Sequence, residues 1–464
     1  MKIHFISIGG SAMHSLALAL VKNGDQITGS DDEIFEPSRS RLLKAGILPD
    51  SIGWFPEKIH GNLDAVILGM HARADNPELL RAKELGLSVY SYPEFIYQSA
   101  RNKKRVVIGG SHGKTTCTSI ILHVLNFLGY AFDYLVGASL DGFADSVRIS
   151  NNAPIIIIEG DEYLSSPIDP RPKFILYHAH LALLTGIAWD HVNVFPSFEF
   201  YKEQFVHFLE SFENPSTIIY CEEDPIVKTL VENFRSDAPE WRMQKIPYTI
   251  PSYQIKSGIT ELKEENGIQT ALKVFGHHNL LNIQGAWFIL KELGVTREEF
   301  LKAIPSFRGA SRRMELLEEN WETKIFLDFA HAPSKIKASL DALTDQFPEK
   351  PLLAVMELHT FSSLNPDFIH EYKGTMDKPK EALVYFNPHT LVHKKLPPLN
   401  PDQVRRAFGR EDLKVFNDSD NLVDFLLHKD IKGYNLVFMS SGNFDGIDLR
   451  SFSRKLLEKE DLGS

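Results

Sequence analysis

The chain has 464 residues, a hydrophobic fraction of 43% and a net charge of −11, values typical of a soluble globular protein with about three domains. It has no long basic tract, which argues against nucleic acid as a partner. There is also no secretory leader and no run near the roughly 20 apolar residues of a membrane span, so we expect a cytoplasmic protein without membrane contact. The two cysteines, Cys117 and Cys221, do not suggest a disulfide framework.

The first block alternates predicted strands and helices. Strands are expected at 3–8, 26–28, 65–68 and 88–91, and helices at 13–22, 39–45 and 77–85. This alternation favours a parallel sheet covered by helices. Gly9 and Gly10 follow the first strand and Asp31 follows the second, but a dinucleotide fingerprint would need glycines in place of Ser7 and Ala12. An NAD-dependent oxidoreductase is therefore not favoured, whereas a nucleotide-type phosphate at the Gly9-Gly10 turn remains open.

The strongest motif lies between Arg105 and Gly129. An apolar strand enters a glycine-rich turn, and Lys114 opens a helix-patterned run. Backbone N–H groups, the positive helix end and a lysine suit nucleotide phosphates, although an ordinary turn with a surface lysine is the alternative. The strict pattern has glycine where this chain has Ile108, so the predicted loop is the shorter form. Its residues are Gly110, Ser111, His112, Gly113, Lys114, Thr115 and Thr116.

Carboxylates follow the next buried strand, 155–158, and suggest a magnesium site. These are Glu159, Asp161 and Glu162. Open α/β sheets place their chemistry at such strand ends, and Mg²⁺ prefers oxygen ligands. A polar strand exit is the alternative. A further strand at 181–185 precedes Asp190-His191, a plausible second metal or phosphate contact, and residues 174–177 are expected to form a buried strand.

The third block again alternates strands and helices, with strands at 324–328, 352–356, 382–386 and 436–439. Before it, a helix is expected at 279–291, with Asn279 and Asn282 on one face. We therefore predict an α/β fold of three domains. These are a Rossmann-like domain at 1–103, a central P-loop ATPase-like parallel sheet at 104–309, and a Rossmann-like domain at 310–464.

Taken in order, these motifs resemble the Mur ligases, which build the peptide of bacterial peptidoglycan. The resemblance spans nearly the whole chain. It rests on residues 9–10, 29–31, 110–116, 159–163, 190–191, 278–282, 312–315 and 328–331.

The resemblance implies an ADP-forming carboxylate–amine ligase that uses ATP and Mg²⁺ in peptidoglycan synthesis or recycling, and so in cell-wall biogenesis, cell shape and cell division. Lys114, Glu159 and His191 would be catalytic, with Thr115, Glu159 and His191 contacting the metal. Besides the phosphate loop, the implied ATP contacts are Asn279, Arg313 and Asp328. The implied substrate contacts are Gly9, Gly10, Ser11, Asp31, His71, Asp161, Glu162 and His331. A monomer or weak homodimer is expected.

Residues 8–13 are similar to the start of family members that take UDP-N-acetylmuramate. Two activities share this start: the addition of L-alanine, and the addition of the recycled tripeptide L-Ala-γ-D-Glu-meso-diaminopimelate. We favour the tripeptide, because Asp161-Glu162-Tyr163, residues 169–174 and the closing 440–447 are similar to tripeptide-adding members. L-alanine is the alternative. The lysine that some members carbamylate has no counterpart beside Phe205.

Two other classes remain open. One is a different ATP-dependent amide ligase such as folylpolyglutamate synthase, which shares the last two domains. The complete α/β block before the phosphate loop argues against it. The other is a nucleotide-binding protein without catalysis.

Overall fold

The computed structural model describes residues 1–70, 72–137, 140, 142–143, 145–166, 168–189, 194–235 and 240–462. The chain forms two compact units. Unit 1 comprises Met1–Ala188, Ser197–Thr249 and Ile283–Ala303, and unit 2 comprises Trp189–Pro196, Ile250–Asn282 and Ile304–Ser464. The three predicted domain boundaries stay a prediction. In the described parts of the chain, no helix has the length and apolar character to cross a membrane.

The strands of unit 1 are β1 (Lys2–Ile6), β2 (Gln26–Ser30), β3 (Ala65–Leu68), β4 (Val89–Ser91), β5 (Lys104–Gly109), β6 (Asp133–Leu135), β7 (Val147–Arg148), β8 (Ile155–Glu159), β9 (Leu164–Ser166), β10 (Asp169–Pro172), β11 (Leu181–Leu184), β12 (Ser216–Cys221) and β13 (Met243–Tyr248). Its helices are α1 (Ser11–Lys22), α2 (Ser38–Lys44), α3 (Pro77–Glu84), α4 (Tyr92–Ser99), α5 (Lys114–Phe127), α6 (Phe198–Glu210), α7 (Pro225–Asn233), α8 (His277–Glu292, of which the first residues belong to unit 2) and α9 (Arg297–Ala303).

Unit 1 contains two mainly parallel sheets. The first has the order β2-β1-β3-β4, and all its pairs are parallel. The second has the order β13-β12-β11-β5-β8-β6-β7, in which only the β6–β7 pair is antiparallel. Central strands such as β5 and β8 are continuous apolar runs because both of their faces are buried. The predicted parallel sheets are therefore present.

The aromatic side chains along one face of α6 belong to the core. Tyr201, Phe205 and Phe208 are fully buried, and the Phe208 ring stacks on Phe174 with centroids 4.4 Å apart. Offset aromatic packing of this kind adds to the free energy gained by burial.

The strand predicted at 174–177 is wrong. This segment is a 3₁₀ helix, Lys173–Tyr177. Its first N–H groups bond back to the β8 exit, with Lys173 N–H donating to Tyr163 O at 2.9 Å and Phe174 N–H donating to Asp161 O at 3.1 Å. A short apolar run predicts burial, but periodicity alone does not separate a strand from a helical turn.

Unit 2 continues with the strands β14 (Tyr253–Lys256), β15 (Ile259–Lys263), β16 (Gln269–Leu272), β17 (Glu315–Glu319), β18 (Lys324–Asp328), β19 (Leu352–Leu358), β20 (Glu381–Phe386), β21 (Lys414–Phe416) and β22 (Asn435–Met439). Its remaining helices are α10 (Pro333–Gln346), α11 (Pro388–His393), α12 (Pro401–Phe408), α13 (Ser419–His428) and α14 (Leu449–Leu462).

The main sheet of unit 2 has the order β17-β18-β22-β19-β20-β21 and is parallel except for the edge strand β17. A small antiparallel sheet, β14-β15-β16, precedes it. Buried clusters cover both faces of the main sheet, as a parallel sheet requires. The predicted α/β class is confirmed.

Candidate active site

The predicted phosphate loop joins β5 to α5, and its shape depends on glycine. Gly110 and Gly113 have φ values of +127° and +79°, a region that favours glycine. A Cβ at Gly110 would lie 2.2 Å from Thr185 Oγ1. No larger residue fits at Gly110 without movement. The turn leads directly into the N-terminus of α5, a position where backbone N–H groups suit an anion.

Residues that follow β11 hold this loop in place. Ser111 N–H donates to Gly186 O at 2.8 Å. Thr185 Oγ1 donates to Gly109 O at 3.2 Å and also to His112 O. The ends of two neighbouring parallel strands therefore define the loop together.

Lys114 lies at the first position of α5 and extends back over the loop. Its Nζ donates to Gly110 O and to Glu162 Oε2, both at 2.6 Å. Burial lowers the pKa of Lys114, but the Glu162 and Asp161 carboxylates outweigh this and raise the pKa above its usual value. The ammonium group is therefore charged at neutral pH and lies where an incoming phosphate would need it.

Two oxygen ligands suited to a divalent cation converge beside the loop. Thr115 Oγ1 donates to Glu159 Oε1 at 2.7 Å, and Gly137 N–H donates to Glu159 Oε2 at 2.9 Å. Hydroxyl and carboxylate oxygens at the end of β8 fit Mg²⁺, which usually binds few protein ligands and retains water. The described residues contain no cluster of three or more His, Cys, Asp or Glu arranged for a metal. Asp190 and His191 lie outside the described residues.

The remaining carboxylates of the β8 exit are paired. Lys173 Nζ donates to Asp161 Oδ2 at 2.7 Å. Burial raises the pKa of Asp161, but Lys173 and Lys114 hold it below its usual value. Glu162 is buried and accepts a hydrogen bond from Tyr201 Oη at 3.1 Å. The sequence carries no motif that could have identified the polar role of Tyr201, which lies among the buried aromatic residues of α6.

The basic side chains near Asp161, namely Arg171 and Lys173, already form ion pairs with carboxylates of the chain. Arg171 is exposed and donates to Asp169 Oδ2 at 2.7 Å and to Glu94 Oε1 at 3.2 Å. The positive charges of Arg171 and Lys173 are therefore already balanced by neighbouring carboxylates.

A separate cradle in unit 1 surrounds the Gly9-Gly10 turn. Gly9 N–H donates to Asp31 Oδ2 at 2.6 Å, and a Cβ at Gly9 would lie 2.9 Å from the same oxygen. Burial raises the pKa of Asp31 to about 6, and the neighbouring Asp32 acts in the same direction. The hydrogen bond from Gly9 N–H lowers the pKa but is outweighed. The adjoining cavity of 760 Å³ is lined by Gly9, Gly10, Asp31, Asp32, Glu33, Phe35, Trp54, Arg73, Asp75, Asn76 and Pro77.

Some cradle residues were predicted and others were not. Ser11 opens α1 and is exposed, and His71 lies outside the described residues. Trp54 and Arg73 line the cavity without a sequence motif that could have identified them.

In unit 2, the start of α8 carries the predicted asparagines. Gly276 has φ +90°, and Asn279 Nδ2 donates to Phe275 O at 2.8 Å. Asn279 and Asn282 are both buried. Burial lowers the pKa of the adjacent His278, with Asp328 opposing this effect.

The turn before β17 carries Arg313, and Asp328 at the end of β18 holds this turn. The Arg313 guanidinium lies 4.7 Å from the centroid of the Phe329 ring. Asp328 Oδ1 accepts a hydrogen bond from Met314 N–H at 3.1 Å, and Ser339 Oγ donates to Oδ2. Since Asp328 is only 6% exposed, its evident effect is to hold the turn that carries Arg313.

His331 follows the end of β18. Its Nδ1 lies 2.9 Å from Phe329 O, and its own carbonyl accepts a hydrogen bond from Tyr372 Oη at 2.6 Å. It therefore lies at the carboxyl edge of the main sheet of unit 2, where open α/β sheets bind ligands.

Two family descriptions match consecutive parts of the chain. Residues 2–104 match "Mur ligase family, catalytic domain", and residues 108–290 match "Mur ligase middle domain". A UDP-N-acetylmuramate–L-alanine ligase of Rubrobacter xylanophilus is 30% identical over 370 residues, covering 78% of this chain and 79% of the relative. The enzyme of the same name from Aquifex aeolicus is 29% identical over 382 residues, covering 80% and 81%.

Solved structures with the same fold include two of these ligases. A UDP-N-acetylmuramate–alanine ligase of Thermotoga maritima superposes with a TM-score of 0.68 at 20% identity, covering 100% of both chains. A murein peptide ligase of Psychrobacter arcticus has a TM-score of 0.63 at 22% identity, covering 99% of this chain and 98% of the other. At these identities the likeness concerns the fold alone.

Proposed function

The chain belongs to the Mur ligase family of ATP-dependent, amide bond-forming ligases, and we propose that it joins the lactyl carboxylate of UDP-N-acetylmuramate to an amine. The observation that carries the proposal is the arrangement at one sheet edge of the phosphate loop, Lys114 and the Thr115–Glu159 pair. This arrangement combines a preformed anion site with hard oxygen ligands.

The reaction would proceed in two steps. A carboxylate oxygen attacks the γ-phosphorus of ATP, the bond to ADP breaks, and an acyl phosphate forms. The amine then attacks the acyl carbon, loses a proton, and phosphate leaves. Lys114 would neutralise charge on the transferring group, and such charge stabilisation is commonly the largest contribution in phosphoryl transfer.

Thr115 and Glu159 are the described residues that would hold Mg²⁺. When bound, the cation would supply charge neutralisation between the phosphate oxygens. His191 is proposed as a further ligand from the family resemblance. Asn279, Arg313 and Asp328 are proposed ATP contacts on the same ground, with Asp328 acting through the Arg313 turn.

The cradle at Gly9, Gly10 and Asp31 is proposed to take the uridine nucleotide. The close approach of Gly9 to Asp31 leaves an open backbone turn at the start of α1, which suits a diphosphate.

For the acceptor amine we propose the tripeptide L-Ala-γ-D-Glu-meso-diaminopimelate. Support comes from Asp161-Glu162-Tyr163 and the segment 169–174, together with the closing residues 440–447. L-alanine is the second candidate, and both curated relatives named above favour it. Because Arg171 and Lys173 are already paired with carboxylates, they add nothing to the case for the tripeptide.

Competition tests the proposal. The purified chain receives UDP-N-acetylmuramate, ATP, Mg²⁺ and equal amounts of L-alanine and tripeptide, and the products are weighed by mass spectrometry. A main product of UDP-N-acetylmuramoyl-tripeptide supports the first acceptor. A main product of UDP-N-acetylmuramoyl-L-alanine establishes the second, and the absence of ADP release with either acceptor rejects ligation on this substrate.

A further inference from the structure

A continuous series of hydrogen bonds runs from the end of β11 to Lys114. Ala188 N–H donates to Ser111 Oγ at 2.9 Å, and Ser111 Oγ lies 2.7 Å from Tyr201 Oη. Tyr201 Oη donates to Glu162 Oε1 at 3.1 Å, and Lys114 Nζ donates to Glu162 Oε2 at 2.6 Å. The series connects the phosphate loop, α6 and the β8 exit.

The chemistry of the groups sets the direction of this series. An ionised carboxylate only accepts hydrogen bonds, so Glu162 accepts from both Tyr201 and Lys114. Tyr201 Oη therefore donates its hydroxyl proton to Glu162 and accepts a hydrogen bond from Ser111 Oγ. Each hydroxyl has one proton to donate, so Ser111 Oγ donates to Tyr201 Oη and accepts from Ala188 N–H.

Burial keeps the two central members in place. Glu162 is 1% exposed and Tyr201 is 0% exposed. A carboxylate at such a site retains its charge only when it is paired and hydrogen-bonded, and here it has both kinds of partner. Its burial also means that Glu162 would act on a substrate indirectly.

We infer that Glu162 and Tyr201 are positioning residues that hold the Lys114 ammonium over the phosphate loop before nucleotide binds. A free lysine side chain populates many rotamers, and fixing it beforehand removes the entropic cost of ordering it from nucleotide binding. This inference rests on the proposed function for its place in catalysis, but its first consequence is for nucleotide binding alone.

The test is a double-mutant cycle read by ADP binding in Mg²⁺ buffer, measured by calorimetry. Tyr201→Phe removes one hydroxyl without changing any charge. We expect it to raise the Kd for ADP by about five-fold, the scale of the net contribution of one ordinary hydrogen bond. In a Lys114→Met background the same substitution should change the Kd by less than about two-fold, because it acts through Lys114. If Lys114→Met does not fold, Lys114→Gln takes its place.

Tyr220→Phe is the matched control. Tyr220 Oη also donates to a carboxylate, Glu232 Oε1, at 3.3 Å, and this pair belongs to the same unit without touching the loop. Tyr220→Phe should reduce the free energy of unfolding about as much as Tyr201→Phe does, and it should leave the Kd for ADP unchanged. In ligation, Tyr201→Phe should raise the KM for ATP by a similar factor, because the substitution weakens nucleotide binding.

Two results overturn the inference. One is an unchanged ADP Kd in folded Tyr201→Phe. The other is an equal effect with and without Lys114, which would assign Tyr201 a purely structural role. Because ADP binding requires neither sugar nucleotide nor amine, a wild-type chain that binds ADP but does not ligate would reject the proposed function and leave this cycle interpretable.

Discussion

Thr115 Oγ1 donates a hydrogen bond to Glu159 Oε1 at 2.7 Å and so joins the first turn of α5 to the carboxyl end of β8. The residues are 44 positions apart in sequence. They meet because β5 and β8 are parallel neighbours, with Ile108 opposite Glu159. Sheet topology thus places a carboxylate beside the loop that we propose to receive phosphate.

Glu159→Gln keeps the shape of this side chain and removes its charge. We expect kcat to fall by about 100-fold, or the Mg²⁺ needed for half-maximal rate to rise strongly, because a neutral amide is a weaker ligand for a hard cation. The rate is measured against Mg²⁺ concentration. Glu222→Gln, which alters a surface ion pair with Lys228, is the control and should change neither quantity. Normal Mg²⁺ dependence in Glu159→Gln would remove this residue from the metal site.

Lys114→Ala should reduce ligation by at least about 100-fold, since charge stabilisation of the transferring group is lost. The fold should persist, as judged by circular dichroism, with some loss of stability because the buried Glu162 carboxylate loses its ion pair. Lys104→Ala is the comparison, because this lysine is exposed and its Nζ donates to Glu292 O at 3.3 Å. Turnover near the wild-type rate in folded Lys114→Ala would contradict the proposed role of the loop.

The architecture was largely predictable, because parallel strands buried on both faces are continuous apolar runs. The strands at Ala65–Leu68 and Lys324–Asp328 lie where the pattern placed them. The segment 173–177 was not predictable, since its turn is set by hydrogen bonds to Tyr163 and Asp161, which are partners made by tertiary structure.

The turn between β5 and α5 was predictable for a different reason, namely that its glycines and Lys114 stand in a fixed local order, whereas its role in phosphate binding stays a proposal. Glu162 illustrates the limit of such reasoning. Its position in a motif suggested a substrate contact, whereas its hydrogen bonds to Lys114 and Tyr201 come from packing of α6 against the β8 exit. No spacing along the chain encodes that contact.

Gly9→Ala should impair the sugar-nucleotide cradle selectively. The added Cβ would lie 2.9 Å from both Asp31 Oδ2 and Ile34 Cγ1, so the turn has to move. We expect the KM for UDP-N-acetylmuramate to rise by about ten-fold or more while the KM for ATP changes little. Gly61→Ala is the control, because nothing lies within 4 Å of its Cβ position. Equal changes in both KM values would indicate a general disturbance instead.

The raised pKa of Asp31, about 6, predicts a pH dependence of stability. The folded-state value lies above the unfolded value of about 3.9, so the folded chain binds the proton more tightly. The contribution of Asp31 to stability is present below pH 4 and is lost as the pH rises through 6. The free energy of unfolding of wild type minus that of Asp31→Asn should therefore fall between pH 4 and 6, measured by urea titration. A difference independent of pH would contradict the burial of this carboxyl group.

Arg171→Ala should leave acceptor choice unchanged. The guanidinium is 54% exposed and already bonded to the Asp169 and Glu94 carboxylates, so it has little capacity left for a substrate carboxylate. We expect the ratio of kcat/KM for tripeptide to that for L-alanine to change by less than about two-fold, the size of a typical exposed ion pair.

Lys173→Met is the variant to compare with Arg171→Ala, because Lys173 donates a hydrogen bond to Asp161 beside the phosphate loop. Its loss should lower kcat for both acceptors equally, through the loop rather than through the acceptor. A selective loss of tripeptide in Arg171→Ala would instead mean that its ion pairs open in the working enzyme. The segment 169–174 would then be part of the acceptor site.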